Sequence, residues 1–239
     1  MKKILNIIMI AGVIFLVSCE DKLDLAPYDG LTDEELFSSA NGFETAIRGV
    51  YNGFKANGYY GETRGYNISP EVMTDNVTLC IKGRQTRREL FEWRNTAVDE
   101  SFVLYGKGYE IISRANRLLD NLDNIERNDF RNNIQGEALA LRALIHFDIA
   151  RVYCQIPTQS ADAGTSPGIY YSTTFAPEEL VTRAGTTVNS VYDLIEADLL
   201  SAAYLIADDN GSGRLNRAAV YGLLSRFYLH QGDYDNCVL

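Results

Sequence analysis

The chain has only two histidines, His146 and His230, and no Gly-x-Ser-x-Gly elbow. A serine hydrolase therefore lacks both a stock of bases and its nucleophile turn. No Walker loop or Rossmann glycine pattern occurs; the stretch Gly106 to Glu110 does not have the spacing. No CxxC pair is present, so the usual zinc framework is missing. A glycosidase needs two carboxylates at a set separation, and among 32 acids some pair always exists, so the sequence leaves that class open as a third reading. The expectation is a protein that is not an enzyme and holds no cofactor or metal. Positive charge is scarce as well: 22 Lys and Arg face 32 Asp and Glu, for a formal charge of −10. That balance argues against the basic footprint of a nucleic-acid binder and against a polybasic grip on anionic lipid. An uncharged ligand such as a sugar is compatible with it.

The N-terminus has an apolar run that is too short to span a bilayer, which takes about 20 residues. Lys2 and Lys3 precede Ile4 to Val17, apolar apart from Asn6, and Ser18 supplies a small residue at a cut. That order is a signal peptide. Leu16-Val17-Ser18-Cys19 resembles the bacterial lipobox. The resemblance implies acylation of the Cys19 thiol and cleavage before it. Several acyl chains, at about 0.8 kcal/mol per buried methylene, would then hold the protein on a membrane. Glu20, Asp21 and Asp24 resemble the acidic tag of lipoproteins that Bacteroidetes display on the outer surface. The expected division is signal peptide 1–18, lipidated tether 19–31 and an α-helical domain 32–239. Without Lys2 and Lys3 the formal charge is −12. Cys80, Cys154 and Cys237 remain; an odd, widely spaced set predicts free buried thiols rather than a disulfide framework, with one bridged pair still open.

Beyond the tether, Thr32-Asp33-Glu34-Glu35 offers an N-cap and an acidic first turn. Phe43, Ala46, Ile47, Val50, Tyr51 and Phe54 recur at three- and four-residue steps and predict a helix over 41–56. Tyr105, Tyr109, Ile112, Leu119, Leu122 and Ile125 make a second stripe. The strongest helix is predicted over 132–154. Ile134, Ala138, Leu141, Ile145, Ile149 and Val152 line one side of it and Leu139, Ala143 and Phe147 the other, so it should be packed on two sides. Polar loop 156–189 follows, then helices over 191–207 and 217–230. The fold class is mainly all-α, with at most a short strand pair hinted at by Leu90, Phe91 and Trp93.

Residues 59–95 break the periodicity. Long loops without structure of their own are often functional. This one holds Tyr59, Tyr60, Tyr66, Phe91 and Trp93, with Asn67, Asp75, Asn76 and Arg84 among them. Flat aromatic faces meet sugar C–H groups at little conformational cost, and amides and carboxylates meet hydroxyls. Tyr59, Tyr60, Tyr66, Asp75 and Trp93 are the ligand-binding candidates. A core role competes for the aromatics, most strongly for Trp93 and Phe91. Arg142, His146, Asp148 and Arg151 share one helix, but His146 and Asp148 are two residues apart and face different ways. They are expected to be buried groups bonded to neighbouring loops, not a catalytic pair.

The stretch from Leu223 to Val238 resembles a tetratricopeptide unit, with Ser225, Tyr228, Gly232 and Tyr234 in its small, aromatic and turn positions and Cys237 where alanine is usual. On that likeness Tyr234 fills the gap between paired helices. Such units bury their faces only by stacking, and the chain stops a few residues into the second helix, which suggests a longer parent. Gly136 to Pro157, Ser190 to Ile206, Gly213 to Tyr234 and Tyr109 to Leu122 together resemble the SusD/RagB outer-membrane lipoproteins. That resemblance implies a tetratricopeptide-like helical scaffold on the cell surface. It would bind glycans or other oligomeric nutrients and pass them to a TonB-dependent outer-membrane transporter. The alternatives are a helical scaffold lipoprotein that binds protein partners only, or a truncated fragment without function.

Overall fold

A computed structural model of the chain describes residues 30–61, 65–94, 96, 104–176 and 185–238. Cys19 and the signal segment lie outside them. The chain divides into two units, residues 1–36 and Phe37–Leu239. In the first, Thr32 opens the four-residue helix α1 (Asp33–Leu36). The Thr32 hydroxyl accepts from the Glu35 amide while the Glu35 carboxylate accepts from the Thr32 amide, a reciprocal cap.

The second unit holds α2 (Ala40–Gly53), α3 (Ile68–Met73), α4 (Arg88–Phe91), α5 (Leu104–Asp120), α6 (Asp129–Tyr153), α7 (Val188–Leu205) and α8 (Arg217–Gln231). Short 3-10 turns lie at Leu122–Asn124 and Ala163–Thr165. No strand occurs among the described residues; isolated bridges join Asn57 to Gly61 and Pro167 to Thr187. The strand hinted at by Leu90, Phe91 and Trp93 is therefore replaced by α4. Only Leu90 of the three is buried, so there is no alternating face for a sheet to cover.

Caps set the helix starts. Ser39, Asn128, Thr187 and Asn216 each accept a backbone amide in the first turn. Asn128 thus starts α6 earlier than periodicity alone places it. Gly232, at φ +76°, ends α8 in the left-handed conformation that glycine adopts most freely.

Successive helices run antiparallel. Arg114 on α5 reaches the Gly49 carbonyl of α2. Gly108 on α5 packs against Ile145 and Ile149 on α6. Gly136 meets Ile206 at one end of the α6–α7 pair, and Phe147 meets Tyr192 at the other. Tyr228 on α8 donates to Glu196 on α7. α6 touches α2, α5, α7 and α8 and buries 15 of its 25 residues, so it is packed on more than the two expected sides and forms the centre of the unit. On α5 the buried face is Leu104, Gly108, Ile111, Ile112, Ala115, Asn116 and Leu118. That corrects the expected stripe: Tyr105 is exposed and Leu119 only half-buried, because Gly108, the next turn along, is where α6 approaches.

Cys80, Cys154 and Cys237 form no disulfide among the described residues; Cys80 is exposed and the other two are half-buried. Tyr234 is 68% exposed and so fills no gap between helices. Residues 234–237 form turns rather than a second helix.

Candidate functional site

An Ala- and Leu-rich helix covered on all sides has no solvent for its polar side chains, so each needs a protein partner. On α6 four of them find one in a different segment. Glu137 accepts from the Tyr51 hydroxyl on α2 and pairs with Arg214 in the α7–α8 connection. Arg142 forks onto Asp198 of α7 at 2.7 and 2.8 Å and donates to Asn116 of α5 and the Thr173 carbonyl. Tyr171 donates to the same Asp198 at 2.6 Å. Burial alone would lower the Arg142 guanidinium pKa; the Asp198 bonds and charge reverse that and leave it raised.

His146 lies at 0% exposure, stacked on the Tyr171 ring at 3.8 Å. Its Nε2 accepts the Ser172 amide at 3.1 Å, and Nδ1 is 2.9 Å from the Arg142 carbonyl. A ring whose Nε2 accepts carries its proton on Nδ1, so the imidazole is neutral. Burial pushes its pKa down to about 3. The unfolded chain takes up that proton near pH 6.5 and the folded chain does not. His146 therefore contributes fully above pH 6.5, and its contribution is lost as pH falls toward 3, at about 1.4 kcal/mol per pH unit. Asp148 acts in the opposite sense: burial raises its carboxyl pKa, so its contribution is lost as pH rises through the folded value. Stability against pH mixes the two, and NMR separates them. The His146 ring resonances are expected to stay fixed from pH 7.5 to 5; a midpoint near 6.5 would show that the ring is open to water.

Asp148 accepts the hydroxyls of Tyr59 and Tyr60 through Oδ2, each at 2.7 Å. As expected, His146 and Asp148 do not pair. Tyr59 is 0% exposed, a correction to its place among the ligand candidates. Its phenol is spent on a buried carboxylate, and its ring meets both Phe54 at 4.9 Å and Tyr60 at 4.4 Å. Tyr60 and Tyr66 are half-buried, with ring centroids 6.1 Å apart. The structure thus gathers Tyr59, Tyr60 and Tyr66. It does not bring Asp75 or Trp93 to them. Asp75 is exposed in the turn after α3. Trp93 is 69% exposed and makes no ring contact among the described residues. Its φ of +56°, with Arg87 at +70° and Gln85 at +50°, puts three non-glycine residues in left-handed backbone within nine positions. Strain of that kind collects at functional segments.

A cleft of about 780 Å³ opens beside the tyrosines, within the range of small-ligand sites. Arg48 and Asn52 of α2, Lys55 in the turn after it, the rings of Tyr51, Phe54 and Tyr60, and the Ser212–Arg214 turn line it. The chain doubles back tightly at its edge: a Cβ at Gly61 would lie 2.1 Å from the Lys55 carbonyl. Only Tyr60 among these was a sequence candidate. The missed signal was the polar stripe Arg48, Asn52 and Lys55, at steps of four and three on the helix whose apolar stripe was read. Among the described residues no cluster of three His, Cys, Asp or Glu forms a metal site, and no helix is long and apolar enough to cross a membrane.

A family model described as starch-binding, associating with outer membrane, matches residues 23–229. The chain belongs to the SusD-like family. The SusD-like protein P38 of Formosa agariphila is 22% identical over 242 residues, which cover 98% of this chain and 44% of that protein. A SusD superfamily protein from Bacteroides thetaiotaomicron superposes with a TM-score of 0.71 at 24% identity, covering 83% of this chain and 44% of the other. A SusD-like carbohydrate binding protein from Bacteroides vulgatus gives 0.68 at 21%, covering 83% and 43%. At such identities the likeness shows the fold. The chain spans less than half the length of these relatives. Its antiparallel helices are thus the SusD-like scaffold, and the stretches read as SusD/RagB signatures, 109–122, 136–157, 190–206 and 213–234, coincide with α5 to α8.

Proposed function

We propose that this chain captures glycans at the bacterial surface, anchored through Cys19, and passes them to a TonB-dependent outer-membrane transporter without acting on them chemically. The observation that carries the reading is the aromatic-walled cleft of about 780 Å³ on a SusD-like scaffold. A sugar ring lies on the Phe54 and Tyr60 faces, and Asn52 and Ser212 supply hydroxyl partners. Trp93, exposed on strained backbone, is a second aromatic contact. The domain division 1–18, 19–31 and 32–239 belongs to the same proposal.

The test is calorimetric binding of an oligosaccharide panel to the purified chain, with Phe54→Ala and Trp93→Ala compared. Loss of an aromatic contact of this kind weakens binding roughly tenfold. A tenfold loss in Phe54→Ala places the ligand in the cleft; a loss in Trp93→Ala alone moves it to the α3–α4 segment. No binding by the parent chain removes the reading. The competing reading, a scaffold for protein partners only, draws on the outer faces of α7 and α8, where Leu200, Tyr204, Tyr221 and Leu229 are exposed.

A further inference from the structure

The lining of the cleft differs in charge from the chain as a whole. The chain carries −10 overall, yet three of the ten cleft residues are cations and none is an acid. Arg214 is already spent: its guanidinium donates to Glu44 and Glu137, and Glu137 also holds Tyr51. Arg48 and Lys55 are different. Both are exposed, and neither has an acidic partner among the described residues. Arg48 stands on α2 and Lys55 in the turn just past its end, and both line the same wall of the cleft. Asn52 lies between them, and the Phe54 and Tyr60 rings, 5.5 Å apart, form the adjoining apolar surface. Cations beside a flat aromatic wall match a sugar whose ring stacks and whose anionic group takes charge-assisted hydrogen bonds. The net negative charge of the chain disfavours a polyanion at long range, so cations without acidic partners at the cleft orient such a ligand as well as hold it.

The geometry points to an acidic saccharide, carrying carboxylate or sulfate groups, as the ligand class of this cleft, with its anionic group between Arg48 and Lys55. The inference rests on the glycan-binding reading and narrows it. Glu44 and Glu137 stay behind Arg214 and set the limit of the cationic stretch.

The test measures binding of the full chain to three size-matched probes: an oligogalacturonide, a sulfated oligosaccharide and a neutral malto-oligosaccharide. The expected result is at least tenfold tighter binding of one or both acidic probes than of the neutral one. That preference weakens with added salt and disappears in the double variant Arg48→Gln/Lys55→Gln, whose melting temperature is unchanged because both side chains are exposed. Separate carboxylate and sulfate arms identify which group is read. Equal binding of all three probes, or a preference that survives in the double variant, overturns the inference while glycan binding stands. Failure of every probe to bind overturns both.

Discussion

Asp198→Ala is expected to destabilise the folded chain by about 3–5 kcal/mol, the cost of leaving a buried charge without its partner. The Arg142 side chain is only 8% exposed and that of Asp198 13%, so water cannot replace the carboxylate. Removing it also orphans the Tyr171 hydroxyl, which donates to the same oxygen. For a chain of this size the melting temperature should fall on the order of 10 °C. Asp198→Asn keeps the shape and part of the bonding and should lose less. Replacing both partners with apolar residues, Arg142→Met with Asp198→Leu, should recover a large part of the loss, since an apolar pair of similar volume leaves no stranded charge. Thermal denaturation of the three variants checks this. A single-variant shift within two degrees would mean that Arg142 has another counterion.

Asp148→Ala is the second large effect, and it reaches the cleft. Two phenols donate to one buried carboxylate oxygen, and leaving each buried donor unmet costs about 1–3 kcal/mol. A loss of about 2–4 kcal/mol is expected. Arg151 and Arg226 approach Asp148 only at 3.9 Å, and their side chains are 35% and 44% exposed, so they turn to solvent at little cost. The damage should be local: hydrogen exchange is expected to speed up at the Tyr59, Tyr60 and Tyr66 amides while α7 and α8 stay protected. Because the Tyr60 ring walls the cleft, saccharide affinity should fall with it. Uniform loss of protection across the helices would place Asp148 in the global core instead.

The parts that were legible in the sequence were local ones. α6 could be read because Ile134, Ala138, Leu141 and Ile145 share a face and Ala143 and Phe147 occupy the other, so both neighbours left a mark on one stretch of chain. Gly232 announced its turn through its own backbone freedom. The contacts that were not legible join distant residues. Tyr59 beside glycine and a second tyrosine has the composition of a binding loop, and only the meeting with Asp148, 89 positions away, makes it core. Tyr105 looked like part of a stripe because periodicity cannot tell a buried tyrosine from one on the rim. The cleft joins residues 48–61 to 212–214. No window along the chain contains both walls, so the stripe of Arg48, Asn52 and Lys55 read as ordinary solvent-facing polarity.

Glu137, Arg142, His146 and Asp148 occupy about 17 Å of a single helix; Glu137 fastens Tyr51 and Arg214, Arg142 and His146 together fasten the 171–173 stretch, and Asp148 fastens Tyr59 and Tyr60. The arrangement works like a mast with stays leading to three separate parts of the chain. One stretch can be lengthened, recharged or reshaped while the others hold their tension, so the appetite of such a protein can change one loop at a time without rebuilding the post to which all of them are tied.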